Sequence, residues 1–350
     1  MHIAILGAGY AGLSLAWHLL LHSQGTAAID LFDPVPIGEG TSGMSSGLLH
    51  AFTGRKALKP YRASDALVSA HYLITETSKV LGHSVVLSSG IVRPASDEEQ
   101  LTLFQKRVEE FPQELEWWEK SRCELEIPGI VIPDDGGALF IKDGITINNE
   151  EYMQGLWMAC SNLGTQFYDE IIENISDIED FYDHIVIAPG ANWDVLPETK
   201  DIPLNKVKGQ LLKVELPKSF QTPKYSINAH KYMVSHATDG TYMLGATFEH
   251  NLADDEPNQE VAYNEIFPAL LPLFPQLKEA QIIDCFSGVR VSSPTRKPVT
   301  AQIKDKVWFV GGFGSKGLLY HGLVGDMLAK AVLAKSTAYI DKEFLFSAST

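Results

Sequence analysis

MHIAILGAGYAGLSLAWHLLLH (residues 1–22) opens with a short apolar run, breaks at Gly7, Gly9 and Gly12, and resumes as an apolar helical pattern. The order reads as strand, tight turn, helix. Gly7 permits the turn out of the strand, Gly9 lets backbone approach a pyrophosphate, and Gly12 lets the helix pack closely on the strand. The helix N-terminus then offers free N–H groups and a partial positive charge to phosphates. The glycine spacing alone is weak evidence, so its flanks matter. IAIL suits a buried parallel strand, and GLSLAWHLLLH is long enough for a crossover helix. A second strand, AAIDLFD, ends at Asp33, whose carboxylate can bond an adenosine ribose. These features together predict a dinucleotide-binding half.

The 350 residues are 45% hydrophobic, enough for one complex domain or two intimate ones. A formal charge of −16 disfavours nucleic acid or an anionic membrane as the main partner. No apolar run is read as reaching the ~18 residues that span a bilayer. No secretory leader is read at the start, where the apolar residues already serve the strand and helix. Three widely spaced cysteines, Cys123, Cys160 and Cys285, suggest buried thiols in a reducing cytoplasm. Oligomeric state is not legible.

After Asp33 a loop rich in Gly, Ser and Thr intervenes where a simple nucleotide half would continue with a helix. Its end, SSGLL, reads as a helix start. Residues 64–82 and the charged stretch 97–120 read as helices, and SVVLSSGIVRPA as strand. Residues 127–148 read as a hairpin around Asp135 and Gly136, followed by a capped helix from NNEEYM. Strand-rich sequence fills 206–292, with Asp239-Gly240 as a hairpin turn. The chain closes on strand, glycines and helix in VWFVGGFGSKGLLYHG. The fold class expected is α/β: a discontinuous Rossmann-like domain (1–82, 143–205 and 286–350) carrying an inserted, mainly antiparallel β-sheet substrate domain (83–142 and 206–285).

In order along the chain, LGAGYAGLSLA, Asp33, GTSGMSSGLL, HIVIAPGA, VKGQ, YMLGAT, GVRVSSPTRKP and GGFGSKGLL resemble the D-amino-acid oxidase family of flavoproteins, which includes glycine and sarcosine oxidases. They are also similar to the FAD-dependent oxidoreductase domain of the bifunctional enzyme that modifies wobble uridine in tRNA. The resemblance implies FAD as the cofactor, held by Gly7, Gly9, Gly12 and Asp33. Thr41, Ser42, Ser46, Gly47 and Leu48 would lie along the pyrophosphate and flavin. Ala188 and Gly190 would pass near the adenosine half, and the backbone of Ile171 would meet adenine. Gly314, Ser315, Lys316, Gly317 and Leu318 would reach the flavin's pyrimidine end. Negative charge develops there on reduction, and a helix N-terminus with Lys316 nearby would stabilise it. No cysteine follows Arg290 closely, so the FAD is expected to be non-covalent.

On the substrate side the resemblance places Arg290 on the substrate carboxylate, a task that suits a guanidinium fork. Tyr232 would cover a small substrate, and His50 would face the flavin ring. The family's glycine soon after the proline of the Arg290 segment is missing, since the chain reads KPVTAQI there. That departure places the flavin contact at Pro298–Val299 in question.

Three other patterns carry less. Gly43-Met44-Ser45-Ser46-Gly47 fits a hydrolase elbow, but no strand precedes it. His18 and His22 are spaced as a metal pair without an evident third ligand, so no metal is read. GFGSKG has Ser315 where a phosphate loop needs glycine. The expected activity is FAD-dependent oxidation of a C–N bond next to a carboxylate in a small amine or amino acid. Alternatives are removal of a carboxymethyl group from wobble uridine in tRNA, a 2-hydroxy-acid dehydrogenase with a base such as His50, and a flavin-binding module without turnover.

Overall fold

The computed structural model describes residues 1–236, 240–250 and 254–346. The chain begins with β1 (His2–Leu6), α1 (Tyr10–His22), β2 (Ala28–Phe32), a short β3 (Leu48–Leu49) and α2 (Ala63–Leu81). Next come β4 (Val86–Pro94), α3 (Glu98–Glu110), β5 (Leu115–Glu119), α4 (Lys120–Glu126), β6 (Gly137–Ile147) and α5 (Asn149–Ser161). Then follow β7 (Gln166–Tyr168), β8 (His184–Ile187), β9 (Asn205–Glu215), β10 (Ser226–Asn228), β11 (Tyr232–Ser235) and β12 (Thr241–Gly245). The last elements are α6 (Gln259–Leu270), β13 (Gln281–Ser292), β14 (Val299–Lys304), β15 (Val307–Gly311) and α7 (Gly317–Ala334).

Two sheets organise them. One has the order β14-β15-β8-β1-β2-β7, parallel except at β14. Its inner strands β15, β8, β1 and β2 are buried on both faces, as parallel strands covered by helices must be. Ile3 and Ile5 face the cluster formed with α1, α2, α5 and α7, while Ala4 and Leu6 face Ile185, Ile187 and Trp193. Leu13, Leu15 and Leu19 of α1 are fully buried, and each such side chain contributes about 1.5–3 kcal/mol. The second sheet runs β13-β9-β12-β11-β10-β4-β6-β3, with β5 also on β6; it is antiparallel except between β10 and β4. One face is covered by α6, whose Ile266 and Phe267 join Leu212, Val214 and Leu244. The α/β, two-sheet architecture is the one expected. Strands β6 and β13 belong to this second sheet along their whole lengths.

Four local expectations give way. Leu48 and Leu49 form strand β3 on Thr146 and Ile145, because Gly47 turns left-handed (φ +69°) and lays the chain along β6 instead of starting a helix. Helix α3 stops at Glu110, since Pro112 disfavours helical backbone at the residue before it; LEWWE then becomes β5, with Trp118 stacked on Phe140. No hairpin forms around Asp135 and Gly136. Pro128 and Pro133 remove donors from the would-be first strand, and β6 pairs instead with β3, β4 and β5. The stretch Gly314–Ala334 is long and apolar enough by composition to span a bilayer. Here it is a core helix between α1 and α2, approached closely where Gly325 meets Ser14 and Gly322 meets Ser69. Strands β11 and β12 are antiparallel neighbours as expected, but Asp239 of their turn lies outside the described residues.

Candidate active site

The glycine turn joins β1 to α1 by backbone contact. Gly7 has φ +118°, and a Cβ there would stand 2.1 Å from the Ala188 carbonyl at the end of β8. A Cβ on Gly12 would stand 1.8 Å from the Gly7 carbonyl, so no larger residue fits either place. Gly9 differs: a Cβ there would meet only Ser42 Oγ, at 3.1 Å. Its freedom from side chain opens the N-terminus of α1. Asp33 accepts hydrogen bonds from the Ala8 N–H at 2.7 Å and the Val35 N–H at 2.9 Å, which fixes the turn. A carboxylate has about four acceptor sites, so capacity for a ribose hydroxyl remains. Gly190, with φ +56° and open space where its Cβ would be, lies just past Ala188. Ile171 is 58% exposed in the irregular segment between β7 and β8.

The loop after β2 folds back over this turn. A Cβ on Gly43 would overlap the Gly38 carbonyl, and one on Gly47 the Ile147 carbonyl. Ser42 Oγ accepts from the Tyr10 N–H at 3.3 Å. Ser45 is held by two residues that sequence reasoning missed. Tyr10 Oη lies 3.1 Å from Ser45 Oγ, and Asn149 Nδ2 donates to the Ser45 carbonyl at 2.6 Å and to Ser45 Oγ at 2.8 Å. The Tyr10 hydroxyl also donates to Asn149 Oδ1, and burial pushes its pKa up. Ser45 is thus a loop-bracing serine, as the absence of a preceding strand suggested. A signal existed: Asn149 follows the helix-capping Asn148, so a second asparagine needed another purpose.

The N-terminus of α7 comes to the same place. A Cβ on Gly317 would meet the Tyr10 ring at 3.3 Å, and one on Gly314 would meet Ser292 at the end of β13. Ser315 and Lys316 complete the single turn before the helix, and Leu318 is buried in its first turn. Neither α1 nor α7 has a side-chain cap or an acidic residue in its first turn. Two uncapped, positive helix ends therefore converge beside the opening at Gly9, and they fit a pyrophosphate-bearing cofactor such as FAD.

Beyond that cradle, β13 and β11 present the expected substrate residues. Arg290 sits opposite Val207 of β9, and its guanidinium fills the space left by Gly209, whose Cβ would stand 2.6 Å from Nη2. Nη2 donates to the Thr247 carbonyl at 3.3 Å, and the Phe248 ring lies 5.5 Å from Cζ. Burial lowers the Arg290 pKa from its ordinary value, opposed by Tyr232, and no carboxylate among the described residues pairs with it. Tyr232 meets Ser46 of the loop after β2; burial pushes its phenol up to about 12, with Arg290 and Ser46 pulling the other way. Thr41 of the same loop packs against Gly288 of β13. Arg290, Tyr232, Ser46 and Thr41 are thus brought together.

His50 lies one strand away. Its Nε2 is 3.2 Å from Asn228 Nδ2, and Asn228 is the register partner of Tyr232. Burial, then Arg93, pushes His50 down to about 3, and its Nδ1 is buried without a hydrogen-bond partner of good geometry among the described residues. Lys316 is turned elsewhere: Nζ donates to the Arg296 carbonyl, bracing the 293–298 loop, and burial lowers its pKa. Pro298 precedes β14, where Val299 pairs with Gly311. Beside this region a cleft of about 600 Å³ opens, lined in part by Lys206, His250, Ser292 and Arg296.

The profile of a family described as DAO, FAD dependent oxidoreductase, matches residues 2–331. Among curated relatives, a putative thiamine biosynthesis oxidoreductase ThiO of Rhizobium etli is 23% identical over 96% of this chain and 97% of its own length. The tRNA 5-methylaminomethyl-2-thiouridine biosynthesis bifunctional protein MnmC of Nitrosospira multiformis is 23% identical over 93% of this chain. The chain spans 56% of that MnmC and 37% of the bifunctional ThiO/ThiG of Trichormus variabilis. In fold it is similar to glycine oxidase from Geobacillus kaustophilus (TM-score 0.84, 18% identity, 99% of this chain and 98% of that one). It is also similar to iminodiacetate oxidase from Chelativorans sp. BNC1 (TM-score 0.78, 19% identity, 99% and 100%).

Proposed function

The chain belongs to the DAO family of FAD-dependent oxidoreductases, and on that premise we propose that it oxidises the C–N bond next to a carboxylate in a small amine or amino acid. The observation that carries the reading is Arg290, a largely desolvated guanidinium with no carboxylate partner among the described residues, set beside Tyr232 and the cofactor loop. An unpaired buried charge is costly, and a substrate carboxylate taken by the guanidinium fork would relieve that cost.

FAD, when bound, supplies the two-electron acceptor. Arg290 anchors the carboxylate and so fixes which carbon faces the cofactor. Tyr232 remains a protonated phenol at neutral pH and can donate a hydrogen bond to the substrate. The uncapped end of α7 favours negative charge in front of it. A substrate amine that binds neutral needs no protein base, and the imine product hydrolyses in water. His50 supports this reading over a hydroxy-acid dehydrogenase, because its Nε2 is engaged by Asn228 and burial makes it a poor base. Glycine oxidase and iminodiacetate oxidase, similar in fold, are named for substrates that carry nitrogen one carbon from a carboxylate.

A tRNA substrate is a second reading, favoured by Lys206 and Arg296 lining the same cleft and by the MnmC likeness. Phosphate binding requires cations free to release counterions. The basic clusters here are largely spent on carboxylates: Arg55 on Asp97 and Glu99, Lys59 on Glu114, Lys206 on Asp194, Lys208 on Asp254 and Lys297 on Glu343. That pairing supports the small substrate. The test is anaerobic bleaching of the bound flavin by a panel of amino acids, N-methyl amino acids, hydroxy acids and carboxymethylaminomethyl-uridine tRNA. Reduction by at least one free amine is expected. Reduction by the tRNA alone, or by hydroxy acids alone, would overturn the proposal.

A further inference from the structure

We propose that His18, His22 and Asp326 form a binding site for one divalent cation of the zinc type, which clamps α1 to α7. One helical turn separates the two histidines, so they share a face of α1; their rings stack with centroids 6.1 Å apart. The sequence offered no third ligand. The fold supplies it by laying α7 along α1, which brings Asp326 Oδ1 to 2.7 Å from His22 Nε2 and 3.8 Å from His18 Nδ1. The three donor atoms lie within 4.8 Å of one another; ligand atoms ~2.0–2.2 Å from one tetrahedral zinc stand ~3.3–3.6 Å apart, so shifts of about 1 Å that close the wider separations and open the Asp326–His22 pair would set all three around the ion.

The second observation is His18 itself. It is 4% exposed, yet neither ring nitrogen has a hydrogen-bond partner of good geometry among the described residues. Buried polar groups are nearly always satisfied, and an idle imidazole aimed at a histidine and a carboxylate is an arrangement that a cation completes. The surroundings fit. Gly322 presents its backbone to the His18 ring and can accept the N–H of the nitrogen left over. Asp326 Oδ2 accepts from Lys330 Nζ at 2.7 Å, which orients the carboxylate and leaves Oδ1 toward the histidines. Two imidazole nitrogens and one carboxylate oxygen suit zinc, with water in a fourth position. Entry is from the side of His22 and Asp326, whose side chains are 28% and 26% exposed.

The experiment uses the full, FAD-loaded protein, stripped of metal with a chelator and titrated with zinc chloride by calorimetry. Thermal unfolding is followed with and without zinc. One saturable zinc per chain is expected, with a thermal midpoint that rises on binding. His22→Ala and Asp326→Asn should each weaken that binding at least tenfold and abolish the thermal gain. Retained FAD reports that a variant has folded, and because the two changes lie on different helices, either one alone decides the question. No saturable binding in the unaltered protein, or equal binding in a folded variant, would overturn the proposal.

Discussion

At the nucleotide end, backbone meets backbone: Gly7, Gly12 and the Ala188 carbonyl touch where no side chain could stand. At the proposed substrate face, side chains meet from segments far apart in sequence: Ser46 on a loop, Tyr232 on β11 and Arg290 on β13. The first arrangement demands glycine at fixed spacing and constrains the fold, whatever is oxidised. The second leaves the fold free and, on the proposed reading, constrains the substrate.

The sharpest way to break this contrast is within the glycine motif. Gly12→Val drives a side chain into the Gly7 carbonyl and should prevent folding, so no native circular dichroism is expected. Gly9→Val meets only Ser42 Oγ, so it should fold yet lose FAD, measured as flavin released per mole of protein. Stoichiometric FAD in folded Gly9→Val would show that the pyrophosphate lies elsewhere. Next in size is Arg290→Ala. It should cost carboxylate substrates about 1.5–3 kcal/mol in kcat/KM, the scale of a lost charged hydrogen bond, with FAD content unchanged. Loss of FAD or of fold would move Arg290 from the substrate face to the scaffold.

Tyr232→Phe should be milder, about 0.5–1.5 kcal/mol in kcat/KM, again with full FAD. The smallest effect is on the pH profile. His50 is pushed down to about 3 and Tyr232 up to about 12, so neither changes protonation between about pH 5 and pH 10. The kcat/KM should therefore rise with pH as the substrate amine loses its proton, and level off without a falling limb from Tyr232. A protein-derived pKa near neutrality, insensitive to the choice of amine, would contradict this.

Legibility in the sequence follows the same division. The motif at Gly7, Gly9 and Gly12, the acidic end of β2 and the closing strand–glycine–helix are local patterns, so period and spacing reveal them. Arg290, Tyr232 and His50 came only through resemblance, because nothing within a few residues of each announces its partners. Tyr10 and Asn149 were missed for the same reason: the loop they brace lies 104 residues from Asn149 in the chain. The LEWWE strand was lost to a charged helical pattern because its pairing with β6 is decided by tertiary contact.

The burial of α7 between α1 and α2 bears on the order in which the molecule assembles. Asp183 bonds the backbone of His2 across 181 residues, and Ser14 bonds the carbonyl of His321 across 307. During synthesis the apolar face of α1 therefore waits for almost the whole chain before its cover arrives. Such high contact order slows folding and prolongs exposure of sticky surface. In refolding followed by pulsed hydrogen exchange, amides of β1 should gain protection in the same late phase as those of α7. A fragment ending before β15 should keep the glycine turn in its sequence, hold no flavin, and aggregate.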